Sequence, residues 1–356
     1  MAGRSGRGDG TAAEGGQLEV NGVRLSVLDQ SPIRRGGTPA QAIRETLELA
    51  ELCDRLGYHR YWLAEHHASG GLASASPEIL IGQVAARTNH IRVGSGGVML
   101  THYAPLKVAE QFRMLEALFP GRIDLGVGRA PGSDMRTARI LAAGRGMIDV
   151  EEYPNQLMDL SGFLMDGFPP GHANFGVKAQ PQVDTVPELW VLGSSRASAE
   201  YAAELGWSFC FAHFISSEGL EDVITAYEAR FQPSPWLPEP RSAIGVSVTC
   251  AETDEEAEYL SWSRWGGRVA ARTGRGAGIM TPEEAMAFPY TEPELDYIAY
   301  LRQTWIHGSP GTVRAKLEEL GEKYGTSEYV VVTITYDFEK RKRSYELLAR
   351  EFGLTE

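Results

Sequence analysis

Cysteine is scarce in this chain: Cys53, Cys210 and Cys250 are all there are in 356 residues. An odd, widely spaced set builds neither a disulfide framework nor a thiolate metal site, so buried thiols in a reducing cytoplasm are the simpler account. Positive charge is also short. Lys plus Arg number 34 against 47 Asp plus Glu, a net charge of −13. Such a chain repels nucleic-acid phosphates and anionic lipid, which argues against nonspecific binding to either; an anionic ligand would need a local cation or N–H group. No apolar run approaches the roughly 18–20 residues of a membrane helix. The first 17 residues, MAGRSGRGDGTAAEGGQ, hold six glycines and no apolar core of a secretory signal. They read as a disordered tail, which leaves residues 18–356 as a single cytoplasmic domain. Nucleotide signatures are missing as well. There is no Gly-Lys dipeptide of a P-loop and no G-x-S-x-G, and Gly126–Gly132 is one residue off the dinucleotide fingerprint.

What is present is an alternation of short apolar runs with amphipathic ones. Strands are expected at 23–28, 60–64, 91–100, 122–128, 188–193, 207–212, 243–250 and 328–335. Each is followed by helical spacing, as at Ile43, Leu47 and Ala50, or at Val108, Phe112, Leu115 and Phe119. Eight strand-then-helix units suggest an α/β fold of the (β/α)8 TIM-barrel type, because parallel strands need helical crossovers and eight strands close without an edge. A doubly wound sheet is the rival. One segment breaks the rhythm: residues 266–292 are Gly-rich, basic at first and weakly periodic. They read as a long insertion loop near the C-terminal end, either a floppy surface segment or a mobile lid.

In a barrel of this kind function sits at the C-terminal strand ends. There the sequence places Glu65-His66-His67, Gly94-Ser95-Gly96-Gly97, Gly128-Arg129 and Gly193-Ser194-Ser195-Arg196. Adjacent residues on an extended chain face opposite ways, so His66 and His67 would not share one metal, and no metal site is expected. A general base or a hydrogen-bond donor to a cofactor fits better, with Glu65, His66 and His67 as candidate catalytic residues. Ser194, Ser195, Arg196 and Ser198 turn a strand into a helix, and Arg129 lies on the neighbouring strand end. Together they point to a phosphate, although each alone reads as ordinary helix capping and a surface arginine. Glycines inside a strand imply close backbone approach, a bulge or tight barrel packing. Trp62, His102, Tyr103, His213 and Phe214 could wall a roomy aromatic substrate site, or simply belong to the core.

Taken together these segments resemble the bacterial luciferase-like flavin monooxygenases, over about residues 24–215. The resemblance is carried by YWLAEHH, IRVGSGGVMLTHYAPLKVAEQFRMLEALFPGRIDLGVGR, APGSDMRTAR and LWVLGSSRASAEYAAELG. The Asp29-Gln30-Ser31-Pro32 opening with GRAPGSD looks like a subgroup that includes monooxygenases of aromatic polyketide antibiotic biosynthesis. The last 100 residues carry little family signal. The resemblance implies FMN at the barrel mouth, with His66 as the catalytic histidine. It implies a non-proline cis peptide at Gly96-Gly97, with the adjoining bulge and Val98 supporting the flavin ring, and phosphate contacts from Arg129, Ser195 and Ser198. Where luciferase has a cysteine near the flavin carbon that binds oxygen, this chain has Gly128, which would open room there and argues against an aldehyde reaction. The mobile loop of the family matches 266–292.

The implied chemistry is a two-component, FMN-dependent monooxygenation. Reduced FMN would come from a separate flavin reductase, O2 would add to give a C4a-peroxyflavin, and a medium-sized organic substrate would be oxygenated, with His66 titrating near neutral pH to move the proton. A homodimer through first-half helices is expected. The alternatives are an F420-dependent (deazaflavin) dehydrogenase or reductase, a non-catalytic flavin-binding protein and, least favoured, a metal-dependent hydrolase.

Overall fold

Strands that alternate between two apolar environments must separate two layers, and they do so here in a closed parallel barrel. The computed structural model describes residues 22–142, 152–165 and 167–354; the expected N-terminal tail lies outside them. The strands are β1 (Arg24–Asp29), β2 (Arg60–Leu63), β3 (Arg92–Met99), β4 (Ile123–Gly128), β5 (Glu188–Gly193), β6 (Ser208–Phe211), β7 (Ser242–Cys250), β8 (Ile306–Gly308) and β9 (Glu328–Val332). Pairing runs β1 to β7 in order, then β7 to β9 and β9 back to β1, all parallel, which closes eight strands. The three-residue β8 lies outside the barrel on the far end of β7. All eight strands read from the sequence are present.

Around them lie α1 (Pro39–Arg55), α2 (Pro77–Ala85), α3 (Pro105–Leu118), α4 (Met135–Leu141), α5 (Tyr153–Leu164), α6 (Arg196–Leu205), α7 (Leu220–Arg230), α8 (Asp254–Arg272), α9 (Pro282–Met286), α10 (Glu292–Thr304), α11 (Pro310–Tyr324) and α12 (Phe338–Glu351). Proline in the first turn starts α1, α2 and α3, where its missing N–H costs nothing. Side-chain period two then sorts the strands. Tyr61, Leu63, Val191, Phe209 and Val331 face the helices. Trp62, Ala64, Trp190, Cys210, Val330 and Val332 face the barrel axis.

The barrel interior is filled in layers. At the N-terminal end three arginines meet three carboxylates. Arg60 donates to Asp124 at 2.6 Å, to Glu328 at 2.8 Å and to Glu188 at 3.1 Å, and Arg92 and Arg241 complete the set. Above this plug Trp62 and Trp190 pack edge to face, with ring centroids 5.1 Å apart, and Trp62 Nε1 donates to Asp124 at 2.8 Å. Residues of the neighbouring strands leave no room for side chains on β3 at this level. A Cβ on Gly94 would lie 2.4 Å from the Asp124 carbonyl oxygen, and one on Gly96 would lie 2.9 Å from the Trp62 Cβ. Close backbone packing therefore explains these strand glycines. The β3–β4 register shifts between Gly96 and Val98, and the Gly96-Gly97 peptide is cis, as the resemblance implied.

The 266–292 segment is corrected. Residues 266–272 are the last two turns of α8, residues 282–286 form α9, and Glu292 opens α10. Gly266 and Gly267 read as helix breakers, but a Cβ on Gly266 would sit 2.5 Å from the Tyr290 hydroxyl and 2.8 Å from the Ala285 Cβ. Glycine is there so that α9 can pack on α8. Ile279 is pinned to the loop after β1, donating to the Ile33 carbonyl at 2.8 Å and accepting from the Arg35 N–H at 2.9 Å. What stays irregular is residues 273–281 and the short link 287–291.

Candidate active site

The strand ends converge on a cavity of about 550 Å³ at the C-terminal mouth, within the range of cofactor and small-molecule sites. Trp62, Leu28, Cys210 and Val330 form its floor, and Gly96, Gly97, Gly128, Gly193 and Gly245 give it backbone edges. Met99 also lines it, with its Cε 3.1 Å from where a Gly128 Cβ would stand. The space expected beside Gly128 is therefore partly filled by Met99.

At the end of β2 the chain turns through Glu65-His66-His67. Glu65 is buried and saturated. Its Oε1 lies 2.5 Å from His67 Nε2 and accepts from the Tyr103 hydroxyl at 2.6 Å, while Oε2 accepts from the Met99 N–H at 2.8 Å. Glu65 lines the cavity, but its carboxylate is taken up in tying together the ends of β2 and β3. His67 is held in that tie, with its N–H donating to the Gly132 carbonyl at 3.0 Å. His66 faces the other way and lines the cavity. Its Nδ1 is buried and has no partner among the described residues. Burial first, then the neighbouring His67, Arg268 and Arg264, push its pKa down to about 4. His66 is therefore neutral at pH 7, which corrects the expectation of titration near neutrality.

The phosphate-like corner forms where β5 runs into α6. Ser195 caps α6, and its Oγ accepts from the Ser198 N–H at 3.3 Å and lies 3.0 Å from Ser198 Oγ. Close approach here needs Gly193, since a Cβ there would lie 2.7 Å from Ser198 Oγ. Ser194 and Arg129 also line the cavity. Arg129 is half-buried and makes no hydrogen bond or ion pair with the described residues. Beside it the Tyr153 hydroxyl is buried and unpartnered, and burial drives its pKa upward. The N–H groups of α6 that Ser195 leaves uncapped, two hydroxyls and an uncommitted guanidinium are the donors an anion site needs.

Several expected residues lie elsewhere. Arg196 turns to solvent and pairs with Glu200 at 2.9 Å, so it adds no charge to the corner. Val98 lies beyond the bulge in the helix-side core. Of the expected substrate wall, Trp62 and Phe214 line the cavity. His102 instead lies 2.7 Å from the Pro131 carbonyl, Tyr103 binds Glu65, and His213 is buried off the cavity.

A second cavity of about 400 Å³ adjoins the first and shares Gln30, His66, Phe214 and Ile215 with it. Its far wall carries Arg264 and Arg268 of α8, which the sequence reading missed. The signal was there: Arg264, Arg268 and Arg272 recur at i, i+4 with no acidic residue three or four positions away, unlike a solvated helix face laced by ion pairs. Gln30, within the Asp-Gln-Ser-Pro opening, was likewise unassigned. Its neighbour Asp29 faces outward, accepting from Arg341 at 2.9 Å and Tyr61 at 2.5 Å. Among the described residues no helix is long and apolar enough to cross a membrane, and no three His, Cys, Asp or Glu side chains gather as a metal site.

A parallel barrel with a glycine-edged cleft and an anion corner at its C-terminal mouth defines an enzyme of the cofactor-binding barrel class. Within that class, the family profile described as luciferase-like monooxygenase matches residues 23–328, and the chain belongs to that family. It is accordingly a monooxygenase. It is 46% identical to the uncharacterized protein YceB of Bacillus subtilis, over 93% of this chain and 99% of that one. It is 39% identical to an N-acetyl-S-alkylcysteine monooxygenase of the same organism, over 92% and 97%. Among solved structures it is similar to apo-MsnO8, with a TM-score of 0.84 and 38% identity over 94% of this chain and 98% of that one.

Proposed function

We propose that this monooxygenase uses reduced FMN, delivered by a separate flavin reductase, together with O2 to oxygenate a medium-sized organic substrate. The observation that carries the reading is the glycine-edged cleft that ends on Arg129, Ser195 and Ser198. The residues fit a phosphorylated flavin on physical grounds. Side chains at Gly96, Gly97 or Gly193 would collide with their surroundings, so a planar ring can lie against bare backbone, and the corner supplies cationic and hydroxyl donors for a phosphate. When bound there, reduced FMN would supply the electrons that activate O2.

The chain's own residues do the rest. Arg129, Ser194, Ser195, Ser198 and the first N–H groups of α6 hold the phosphate. Neutral His66, with Nδ1 buried and unpartnered, is the group at the mouth able to take or share a proton with a reactant. Glu65 and His67 act through position, fixing the strand end that carries His66. Trp62 and Phe214 exclude water. The aromatic polyketide class suggested by the resemblance finds support in Trp62 and Phe214 alone. A homodimer finds support in Ile79, Met114 and Leu118, which project exposed apolar surface from α2 and α3.

The test is an anaerobic titration of the purified protein with reduced FMN and, separately, with reduced F420, followed by admission of O2 at an oxygen electrode. Saturable binding of reduced FMN and O2 uptake by the complex support the reading. Tight binding of reduced F420 without O2 uptake would replace it with a deazaflavin-dependent hydride transfer.

A further inference from the structure

We infer that the second cavity is a carboxylate subsite, and that the substrate is a small organic acid whose apolar body reaches past Phe214 and His66 into the cofactor cleft. The inference deepens the proposed function and rests on its placing the cofactor in the larger cavity. It starts from an imbalance of charge. Among the described residues the second cavity is lined by Arg264 and Arg268 and by no Asp or Glu. Arg268 makes no hydrogen bond or ion pair with the described residues. Among the described residues Arg264 has only the Ser247 hydroxyl, to which its Nε donates at 3.3 Å, and the face of Trp305, 5.0 Å from the ring centroid. Elsewhere the fold meets this problem differently: Arg60 and Arg341, more deeply buried than the half-buried Arg264, each have a carboxylate within 2.9 Å.

A half-buried guanidinium at a cavity wall without a counter-ion still carries a desolvation cost. Burial, with Arg268 and Arg341 behind it, pushes the Arg264 pKa down to about 9. A ligand anion removes that cost. Two guanidiniums one helical turn apart, opening on one cavity, suit a carboxylate, which takes parallel N–H donors. Beside the polar Gln30, His66 and Ser69, the remaining walls are largely apolar, with Leu72, Phe214, Ile279, Trp305 and Ile334 among them. They fit a hydrocarbon or ring next to the acid group. His66 and Phe214 belong to both cavities, so a molecule anchored on the arginines presents its far end to the cleft. The Arg129 corner lines the larger cavity alone and is left to the cofactor phosphate.

The test uses a matched pair of probes, hexanoate and its neutral amide hexanamide, measured by calorimetry on the flavin-free full chain in chloride-free buffer. Hexanoate is expected to bind at least tenfold more tightly than hexanamide. Arg268→Met, at an exposed rim position where folding is not at stake, is expected to erase that preference. Arg264→Lys is expected to keep part of it. Arg129→Met is expected to leave hexanoate binding unchanged. Equal affinities for acid and amide overturn the inference. So does a preference that survives Arg268→Met, or one that disappears in Arg129→Met, which would put the anion in the phosphate corner. Because no flavin is present, failure here is separate from failure of the FMN titration.

Discussion

Replacing Arg129 with methionine isolates the charge that the proposed phosphate site depends on. Methionine keeps most of the apolar stem and removes the guanidinium. In the structure Arg129 is half-buried at the end of β4 and has no ion pair or hydrogen bond with the described residues, so its loss breaks no existing interaction and strands no carboxylate. What it removes is the pairing with a ligand phosphate. A charge-assisted hydrogen bond of this kind contributes about 1.5–3 kcal/mol, a loss of roughly 10- to 150-fold in affinity. Riboflavin has the same ring system without the phosphate, so its affinity should change by less than about twofold. The assay is anaerobic titration of wild type and variant with reduced FMN and reduced riboflavin, read by calorimetry. Ser198→Ala should fall in the same direction by a smaller factor, since it removes one hydroxyl and leaves the Ser195 cap in place. Equal losses for both flavins would place Arg129 under the ring instead of at the phosphate, and no loss for either would remove it from the site.

Two further predictions concern stability. Asp124 accepts from Arg60 and Trp62 and pairs with Arg92 inside the barrel; Asp124→Asn leaves buried cations in excess and should cost about 3–5 kcal/mol in urea unfolding, so an unchanged midpoint would show that the plug is not a stabilising unit. The pKa of Asp124 is held low against desolvation by Arg60 and Arg92, so its contribution is full above the unfolded value of 3.8 and is lost as pH falls through the lower native value. His66 acts at higher pH. Its native pKa of about 4 lies below the model-peptide value of 6.5, so the unfolded chain binds a proton there that the native chain does not. Stability must therefore drop from pH 6.5 down to 4, by about 3 kcal/mol for this one group. His66→Gln should remove that share of the slope in urea midpoints measured across this range, and superimposable wild-type and variant profiles would contradict the low native pKa.

How much of this was legible beforehand depended on periodicity. The barrel strands could be read because period two is strict when both faces are buried: Tyr61 and Leu63 against Trp62 and Ala64, Phe209 and Phe211 against Cys210. The helices α9, α10 and α11 were not legible. They start at prolines in a stretch rich in glycine, and those residues read as punctuation when the packing partner is unseen; Gly266 is small because Tyr290 and Ala285 lie against it. β8 is three residues long, too short to show any period. Arg129, Ser195 and Ser198 could be placed from the strand-to-helix turns alone. Arg196 could not, because the first residue of a helix points into or away from the mouth according to a helical phase that the turn motif does not fix. Here Glu200, one turn on, captures it.

The Glu65-His66-His67 run shows why a motif's chemistry exceeds its catalysis. Three adjacent groups able to exchange protons look like a relay. On an extended strand end, however, alternate residues project to opposite sides. Glu65 and His67 share one side and bind each other, Tyr103 and the Met99 N–H. Glu65 and His66 both line the larger cavity, but of the three only His66 keeps an uncommitted side-chain nitrogen there among the described residues. The arrangement has a physical use. A histidine whose Nδ1 is buried without a partner gains nothing from its own hydrogen bonds there, so its position must be imposed by the backbone. That backbone is fixed twice, by the His66 N–H donating to Ser74 and the His67 N–H donating to Gly132, and the Glu65 carboxylate locks the strand end to the start of the next crossover. The two outward residues thus hold the inward one in place, which leaves His66 Nδ1 uncommitted at the point where the two cavities meet.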